Sequence, residues 1–363
     1  MLGQRVGFVS LCKNDNNIPS FTNYHCIMHQ QVLCSKILES DVIMKIAFKI
    51  VNSIRARSLL RRQFLALLEE TEAEYSSDLL LHTNVRWLSR GVFLKRFRRL
   101  LPEIKTFIQS KGENVPELED ETWLMKLAFF CDITEKLNDV HLNLQGKDKI
   151  VIDMITFIKT FKSQMQLQTS QLKRGELKHN KNMEEECTHN TNRDFETFAE
   201  QLENLHLEFE RRFADFAALE EVLSFMVFPF IENIDIDSLP VKISNLTDAE
   251  SVVVEEEIVK IRSDIFLKAR ASGSTDFWKL ICKEKLLCLR RVALYLTSFF
   301  GSTYLCESTF STMNAIKTKH RSRLTDAHLT SCLRIAVTSY TPQYDKLVEN
   351  MQCLTSSQTR KTH

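Results

Sequence analysis

The sequence predicts an α+β protein that is predominantly helical, and three observations carry that reading. Glycine and proline are scarce, at 8 and 6 residues in 363, so few positions break a helix. Apolar residues recur at three- and four-residue spacing over most of the chain. One short stretch, Tyr24–Met28, has the pattern of a strand, with a helix following from about His29. At 44% hydrophobic residues the chain can build real cores, and its length predicts two or three folded units.

The elements follow in order. From Asp41, the residues Ile43, Ile46/Ala47, Ile50 and Ile54 make a helical stripe. After an arginine-rich joint, Leu60, Phe64 and Leu67/Leu68 continue it. Asn84 is placed to cap a third helix, in which Phe93, Phe97, Leu100, Ile104 and Ile108 form one row with a kink at Pro102. Phe130, Ile133, Leu137, Val140 and Leu144 make another stripe, and Val151, Met154/Ile155, Ile158 and Phe161 the next. Residues 168–194 are almost wholly polar without a usable period, which predicts an exposed loop. Phe195, Phe198, Leu202, Leu205, Phe209, Phe213 and Phe216 then predict one long amphipathic helix. Residues 231–246, with Pro240, read as a break. Thr247 and Glu250 stand at capping-box spacing before "SVVVEEEIVKI".

Bulk properties exclude several functions. The 48 basic and 47 acidic side chains nearly cancel, so overall charge does not recruit nucleic acid, although local basic patches can. Ten cysteines without a regular framework predict reduced, intracellular thiols. The start "MLGQRVGFVSLCK" lacks the pattern of a secretory signal. The longest apolar run, "VLSFMVFPFI", is about half the length a membrane helix needs. Neither a glycine-rich phosphate loop, a GxSxG elbow nor an HExxH pair occurs. A soluble intracellular protein with no membrane and no small-molecule substrate is the expectation.

Three groups of residues carry chemistry. His25, Cys26 and His29 could begin a metal site, but zinc wants four ligands, or three and a water. A second pair at finger spacing is missing, and Cys187 with His189 is no better, so no metal is predicted. Six basic residues fall between positions 86 and 99. Arg86 and Arg90 lie in line with the Phe93/Phe97 row and face the fold, where they need a carboxylate or a phosphate. Lys95, Arg98 and Arg99 fall off that row and are expected in solvent. Lys317, Lys319, Arg321 and Arg323 follow a helix as C-terminal complements. With Arg86 and Arg90 they are also what a nucleic-acid-binding scaffold would use. In "GSTYLCESTFS", a helix opening at Ser302 or Thr303 puts Cys306, Phe310 and Met313 on one face. Glu307 borders it, as a dipole-complementing acid or a catalytic one.

Three stretches together resemble hAT-superfamily DNA transposases. "YHCIMHQQVLCSKIL" matches their C/DxxH segment with Cys26 and His29, and "HTNVRWLSRG" their RW motif with Arg86 and Trp87. The C-terminal "STYLCESTFSTMNAIKTKHRSRLTDAHLTSCLRIAVTS" matches the block in which Glu307 stands for the third catalytic carboxylate. Within that superfamily the likeness is to domesticated genes of the BED zinc-finger group and of the general transcription factor II-I repeat-containing type. It runs from about Met1 to about residue 350.

The resemblance implies an RNase H-like core, incomplete here, interrupted by a large all-helical insertion and followed by a C-terminal dimerisation region. It divides the chain into a partial core at 1–110, the insertion at 111–235, a return to the core with dimerisation at 236–350, and a flexible tail at 351–363. Such transposases cut DNA with two metal ions held by two Asp and one Glu. The likeness begins after the second Asp, and Asp15 and Asp41 lie in no convincing strand, so Glu307 is expected to be vestigial and no cofactor is expected. What is implied is a degenerate, inactive transposase that works by homo- or hetero-oligomerisation in the nucleus. Its association face would be Leu324, His328, Cys332, Leu333, Ile335, Ala336 and Val337, on a helix capped by Thr325 and Asp326. The alternatives are the nucleic-acid scaffold named above and an active transposase, which would need the Asp pair.

Overall fold

The computed structural model describes residues 7–15, 17–18, 24–38, 40–73, 87–146, 149–187, 195–230, 235, 237–246, 249–271, 277–282, 284–299, 303–318, 321, 323–338, 341 and 343–349. Among these, every regular element is a helix and none is a strand. The first run is α1 (Phe8–Lys13), α2 (Ile27–Cys34), α3 (Asp41–Arg55), α4 (Ser58–Glu70), α5 (Trp87–Arg99), α6 (Leu101–Ser110) and α7 (Glu121–Asn143). Next come α8 (Val151–Lys173), α9 (Lys181–Cys187), α10 (Glu196–Arg212), α11 (Ala214–Val227), α12 (Leu239–Leu246) and α13 (Ser251–Ser263). The chain continues with α14 (Ile265–Arg270), α15 (Phe277–Leu280), α16 (Leu287–Thr297), α17 (Tyr304–Ile316), α18 (Asp326–Val337) and α19 (Tyr344–Glu349). They fall into two compact units, Met1–Ser302 and Thr303–His363.

The first unit is built around α7. From Trp123 to Thr134 this helix is buried at nearly every position, so it is surrounded rather than laid on a surface. Helices α3, α5, α8 and α9 pack against it, and α10 packs against α8. Aromatic rings run through the packing. Phe48, Phe93, Phe97 and Trp123 form one chain of ring contacts, Phe129 meets Phe198, and Phe161, Phe209, Phe213 and Phe216 form another chain that reaches Tyr24. A further cluster joins Phe225, Trp278, Phe277 and Phe230. There the Trp278 indole N–H donates to the Met226 carbonyl at 2.6 Å.

The apolar stripes lie where their spacing puts them. Ile43, Ala47, Ile50 and Ile54 on α3, and the whole series from Phe195 to Phe216, are buried. Several boundaries are corrected. The strand at Tyr24–Met28 does not form: Tyr24–Cys26 are irregular and α2 begins at Ile27. The inward positions there are Ile27, Met28, Gln30, Gln31 and Cys34, which is helical spacing hidden by two buried glutamines. The expected kink at Pro102 is a full break. Pro102 sits in the first turn of α6, where its missing N–H costs nothing, while inside one helix its ring would meet the carbonyl of Arg98. The long helix of 195–216 divides at Phe213 into α10 and α11. The break at 231–246 contains α12, with Pro240 in its first turn. Helix α13 starts after Glu250 without a side-chain cap, and Thr247 lies outside the described residues, as does Asn84.

The largest correction concerns residues 168–194. Helix α8 runs through to Lys173, α9 follows, and Gln168, Gln171, Asn180 and Met183 are buried. A polar segment can be buried when most of its polar groups find partners. Here a single acid holds the start of α9, while among the described residues Gln171 Oε1 and Asn180 Nδ2 have no hydrogen-bond partner. The Asp132 carboxylate, on α7, accepts from the Asn182 and Met183 backbone N–H groups, both at 3.1 Å, and from the Asn182 side-chain amide at 2.8 Å. It therefore caps α9 from another helix. One turn along α7, the Lys136 ammonium donates to Gln168 at 2.7 Å, to the His179 carbonyl at 2.6 Å and to Asn180 at 3.3 Å. Burial lowers the Lys136 ammonium to about 8, against the pull of Asp132. Burial likewise raises Asp132, against the hydrogen bonds it accepts.

The same device recurs on α13. Buried Glu257 accepts from the Cys288 N–H at 3.1 Å and the Leu289 N–H at 2.8 Å, the first turn of α16. The residue at the α16 cap position is Leu286, which has no side-chain acceptor to offer.

These caps give a graded prediction. Asp132→Ala strands buried donors, each worth about 1–3 kcal/mol. It should cost distinctly more in urea denaturation than Asp120→Ala, which removes an exposed cap of α7 worth about 1 kcal/mol. Amide exchange at Asn182 and Met183 should accelerate first. Equal losses for the two substitutions would show that Asp132 does not hold α9.

Candidate functional site

The residues singled out by sequence separate by unit. Cys26 and His29 flank the start of α2, Trp87 and Arg90 lie in the first turn of α5, and Glu307 belongs to α17 in the second unit. Arg86 and Lys319 fall outside the described residues.

In the first motif, the pair that the pattern names lies outside the core. His29 is exposed and Cys26 half-buried, at the N-cap of α2. The two glutamines that follow do the structural work. Gln31 donates from its amide to the Leu137 carbonyl at 3.3 Å and meets the His141 Nδ1 at 2.9 Å, tying α2 to α7. Gln30 accepts from the Arg212 guanidinium at 2.9 Å, tying α2 to α10. Arg212 is itself held by Glu208, which also takes two hydrogen bonds from Arg211 at 2.8 and 2.7 Å. Hydrogen bonds from Arg211 hold the Glu208 carboxyl down at about 2, with help from Arg212 and from the charge of both guanidiniums, against burial, which alone would raise it. Among the described residues, no three His, Cys, Asp or Glu side chains come together as a metal site requires.

In the second motif, Gly91 is the residue with a steric role. A Cβ built there would lie 2.3 Å from the Asn138 amide nitrogen and 3.2 Å from the Thr134 carbonyl oxygen. Any side chain here would displace the Asn138 amide and press on the α7 backbone at Thr134. Arg90 is half-buried, as its alignment with Phe93 and Phe97 implies. Arg98 corrects the expectation of a solvated residue. Its guanidinium donates to Asn182 at 3.0 Å and 2.8 Å and to Glu186 at 2.8 Å, and reaches Glu185 at 3.4 Å. The acids that neutralise it come from α9, a segment whose polar sequence predicts a loop, so the pairing is not visible in the sequence. Lys95 and Arg99 are exposed, and Lys95 pairs with Glu135 of α7.

In the second unit, α17 opens at Tyr304 after Thr303, close to the expected start. The exposed Glu307 carboxylate accepts from the Thr303 hydroxyl at 2.7 Å, which is the local, end-of-helix role. Cys306 and Phe310 are exposed and Met313 is half-buried. Lys317, Arg321 and Arg323 are exposed after the helix end. Helix α18 is capped by Thr325, whose hydroxyl accepts from the His328 N–H. The side predicted for association splits: Leu324, Cys332, Leu333 and Val337 are half-buried, while His328, Ile335 and Ala336 are exposed. The buried anchor of α18 is Leu329, which the sequence reading passed over although it shares a face with Cys332 and Leu333.

Residues 25–173 match the FAM200/GTF2IRD2 helical domain. That segment begins one residue before Cys26 and ends with α8, so it takes in both motifs and the α5–α7 contact. The chain is 32% identical over 317 residues to the general transcription factor II-I repeat domain-containing protein 2 of Bos taurus. It is 30% identical over 319 residues to the protein of that name in Mus musculus. Each alignment covers 86% of this chain, and the chain spans 31% of each relative's length.

Two predictions follow from the motif contacts. Gly91→Ala would gain about 1 kcal/mol in helix propensity, yet it crowds a backbone carbonyl and a packed side chain. Overpacking of this kind costs about 1–3 kcal/mol, so net destabilisation is expected in thermal unfolding. A rise in melting temperature would contradict the close approach. The second concerns acid. Because Glu208 is depressed in the fold, its stabilisation is complete above the ordinary carboxylate value of 4.5 and is lost as pH falls toward about 2. Glu208→Gln should flatten that part of the stability–pH curve. An unchanged acid limb would show that the Arg211 and Arg212 contacts contribute nothing.

Proposed function

We propose that this chain acts by association rather than catalysis. In this reading it is the helical part of an inactive, transposase-derived protein, working in nuclear, transcription-related complexes, and two copies pair through α17 and α18. One observation carries the reading: Phe310 and Ile335 are 61% and 66% exposed on a two-helix unit. Within the described residues of that unit, Leu329 is the one buried side chain. Helices of thirteen and twelve residues are marginal alone and gain stability by burying an apolar face. Each large side chain fully covered contributes about 1.5–3 kcal/mol.

The occupant we assign to that face is a second copy, because the block resembles the transposase dimerisation region. The transcription-related setting rests on the name of the relatives. Inactivity is supported by Glu307, whose carboxylate is engaged with Thr303 in its own helix and closes a local turn.

Light scattering of the purified chain at micromolar concentration is the test. A dimer is expected, and Phe310→Asp with Ile335→Asp should convert it to a monomer with its helical circular dichroism intact. Both positions are exposed, so neither substitution disturbs a core. A monomer in the unsubstituted chain overturns the reading, as does a dimer that survives the double substitution.

A further inference from the structure

Large apolar side chains that face solvent are ordinary when scattered singly and informative when they adjoin. Helix α14 carries the two most exposed of them among the described residues, Ile265 at 79% and Phe266 at 81%. They are neighbours on a helix of six residues. Asp264 holds the start of that helix: its carboxylate accepts from the Phe266 and Leu267 backbone N–H groups, both at 3.0 Å. The exposure therefore belongs to a capped helical turn.

The order of residues around the helix axis gives the ridge its character. At about 100° per residue, the outward side reads Lys268, Ile265, Ala269, Phe266 and Arg270, and Leu267 falls opposite. Burial agrees, since the outward residues are all exposed and Leu267 is half-buried. An apolar strip is thus bordered by a cation on each side. Among the described residues neither Lys268 nor Arg270 makes an ion pair or a side-chain hydrogen bond. The acid at helical spacing from Lys268 is Asp264, which is committed to the cap. Unpaired cations occur elsewhere on the surface, as at Lys126 and Lys285. On α14 they border a strip of apolar side chains on both edges.

We propose that the outward ridge of α14 docks against an acidic amphipathic helix of a protein partner. Ile265 and Phe266 meet the partner's apolar stripe, and Lys268 and Arg270 meet carboxylates on its two flanks. Charge decides the sign of the partner: cations left unanswered on both edges favour acids there and repel a basic face. Shape decides its class. The ridge is about 9 Å long, enough for an aromatic anchor inside a polar rim, the arrangement that carries most of the affinity between proteins. Helices that rest on a bilayer carry a broader apolar face, many of them over roughly twenty residues or more. An amphipathic helix offers a stripe of matching width, with its own charges beside it. The proposal uses none of the α17–α18 residues and stands whether or not the chain dimerises.

The test is fluorescence anisotropy of the full chain with a labelled synthetic peptide about 18 residues long, leucine at helical spacing and glutamate elsewhere. A second peptide replaces every glutamate with lysine. The acidic peptide should bind and the basic one should not, with affinity falling as salt rises. Phe266→Ser should weaken binding at least about tenfold. Lys268→Glu with Arg270→Glu should transfer binding to the basic peptide. Phe310→Ser, at an exposed ring of α17, should leave the affinity unchanged. The substituted α14 positions are all exposed, so helical circular dichroism should be the same in each variant. Four results overturn the proposal: no binding of the acidic peptide at about 100 μM, equal binding of the two peptides, a Phe266 variant that binds as well as the Phe310 variant, or retention on phosphatidylserine vesicles with neither peptide bound.

Discussion

Much of the fold depends on acids that cap helices to which they do not belong. The first N–H groups of any helix have no partner within it, and when a helix start is buried, water cannot supply one. Asp132 meets that need for α9 and Glu257 for α16. Both carboxylates are themselves buried, so each would be costly without its donors. The dependence is mutual: the helix start solvates the acid, and the acid fixes the helix. With α9 fixed, Glu185 and Glu186 come within reach of Arg98, and the charge on α5 is absorbed into the fold.

Close approach of helices is the second constraint. Gly91 removes the one side chain that would hold α5 away from α7, while Phe93 and Phe97 fill the space beyond it. Small at the contact and large beside it is how two helices interlock without voids. It also explains why α7 can be buried on all sides: neighbours at different depths cover different stretches of it.

The apolar periodicity was legible in the sequence, because Leu, Ile and Phe declare a helical face by spacing alone. What misled the reading was polar burial. Gln30 and Gln31 broke the apparent period of α2, and the segment around Asn180 and Asn182 looked like a loop because nothing local shows that Asp132, some fifty residues earlier, will cap it. The prolines mark helix starts rather than a kink or a break: Pro102 lies in the first turn of α6, after the buried Leu100 junction, and Pro240 in the first turn of α12. The site fared similarly. The opening of α17 near Thr303 was legible from capping residues, while the assignment of Arg98 to solvent failed because its partners lie on α9.

Charge separates the surfaces that this architecture leaves open. Where cations and anions alternate across helix pairs, as between α8 and α10, the surface fields cancel within a few ångströms and attract little. The α17–α18 pair differs from such a surface by its exposed apolar side chains, Phe310 and Ile335 among them. Apolar burial is little affected by ordinary ionic strength and follows temperature through its heat capacity, whereas salt screens a charged face.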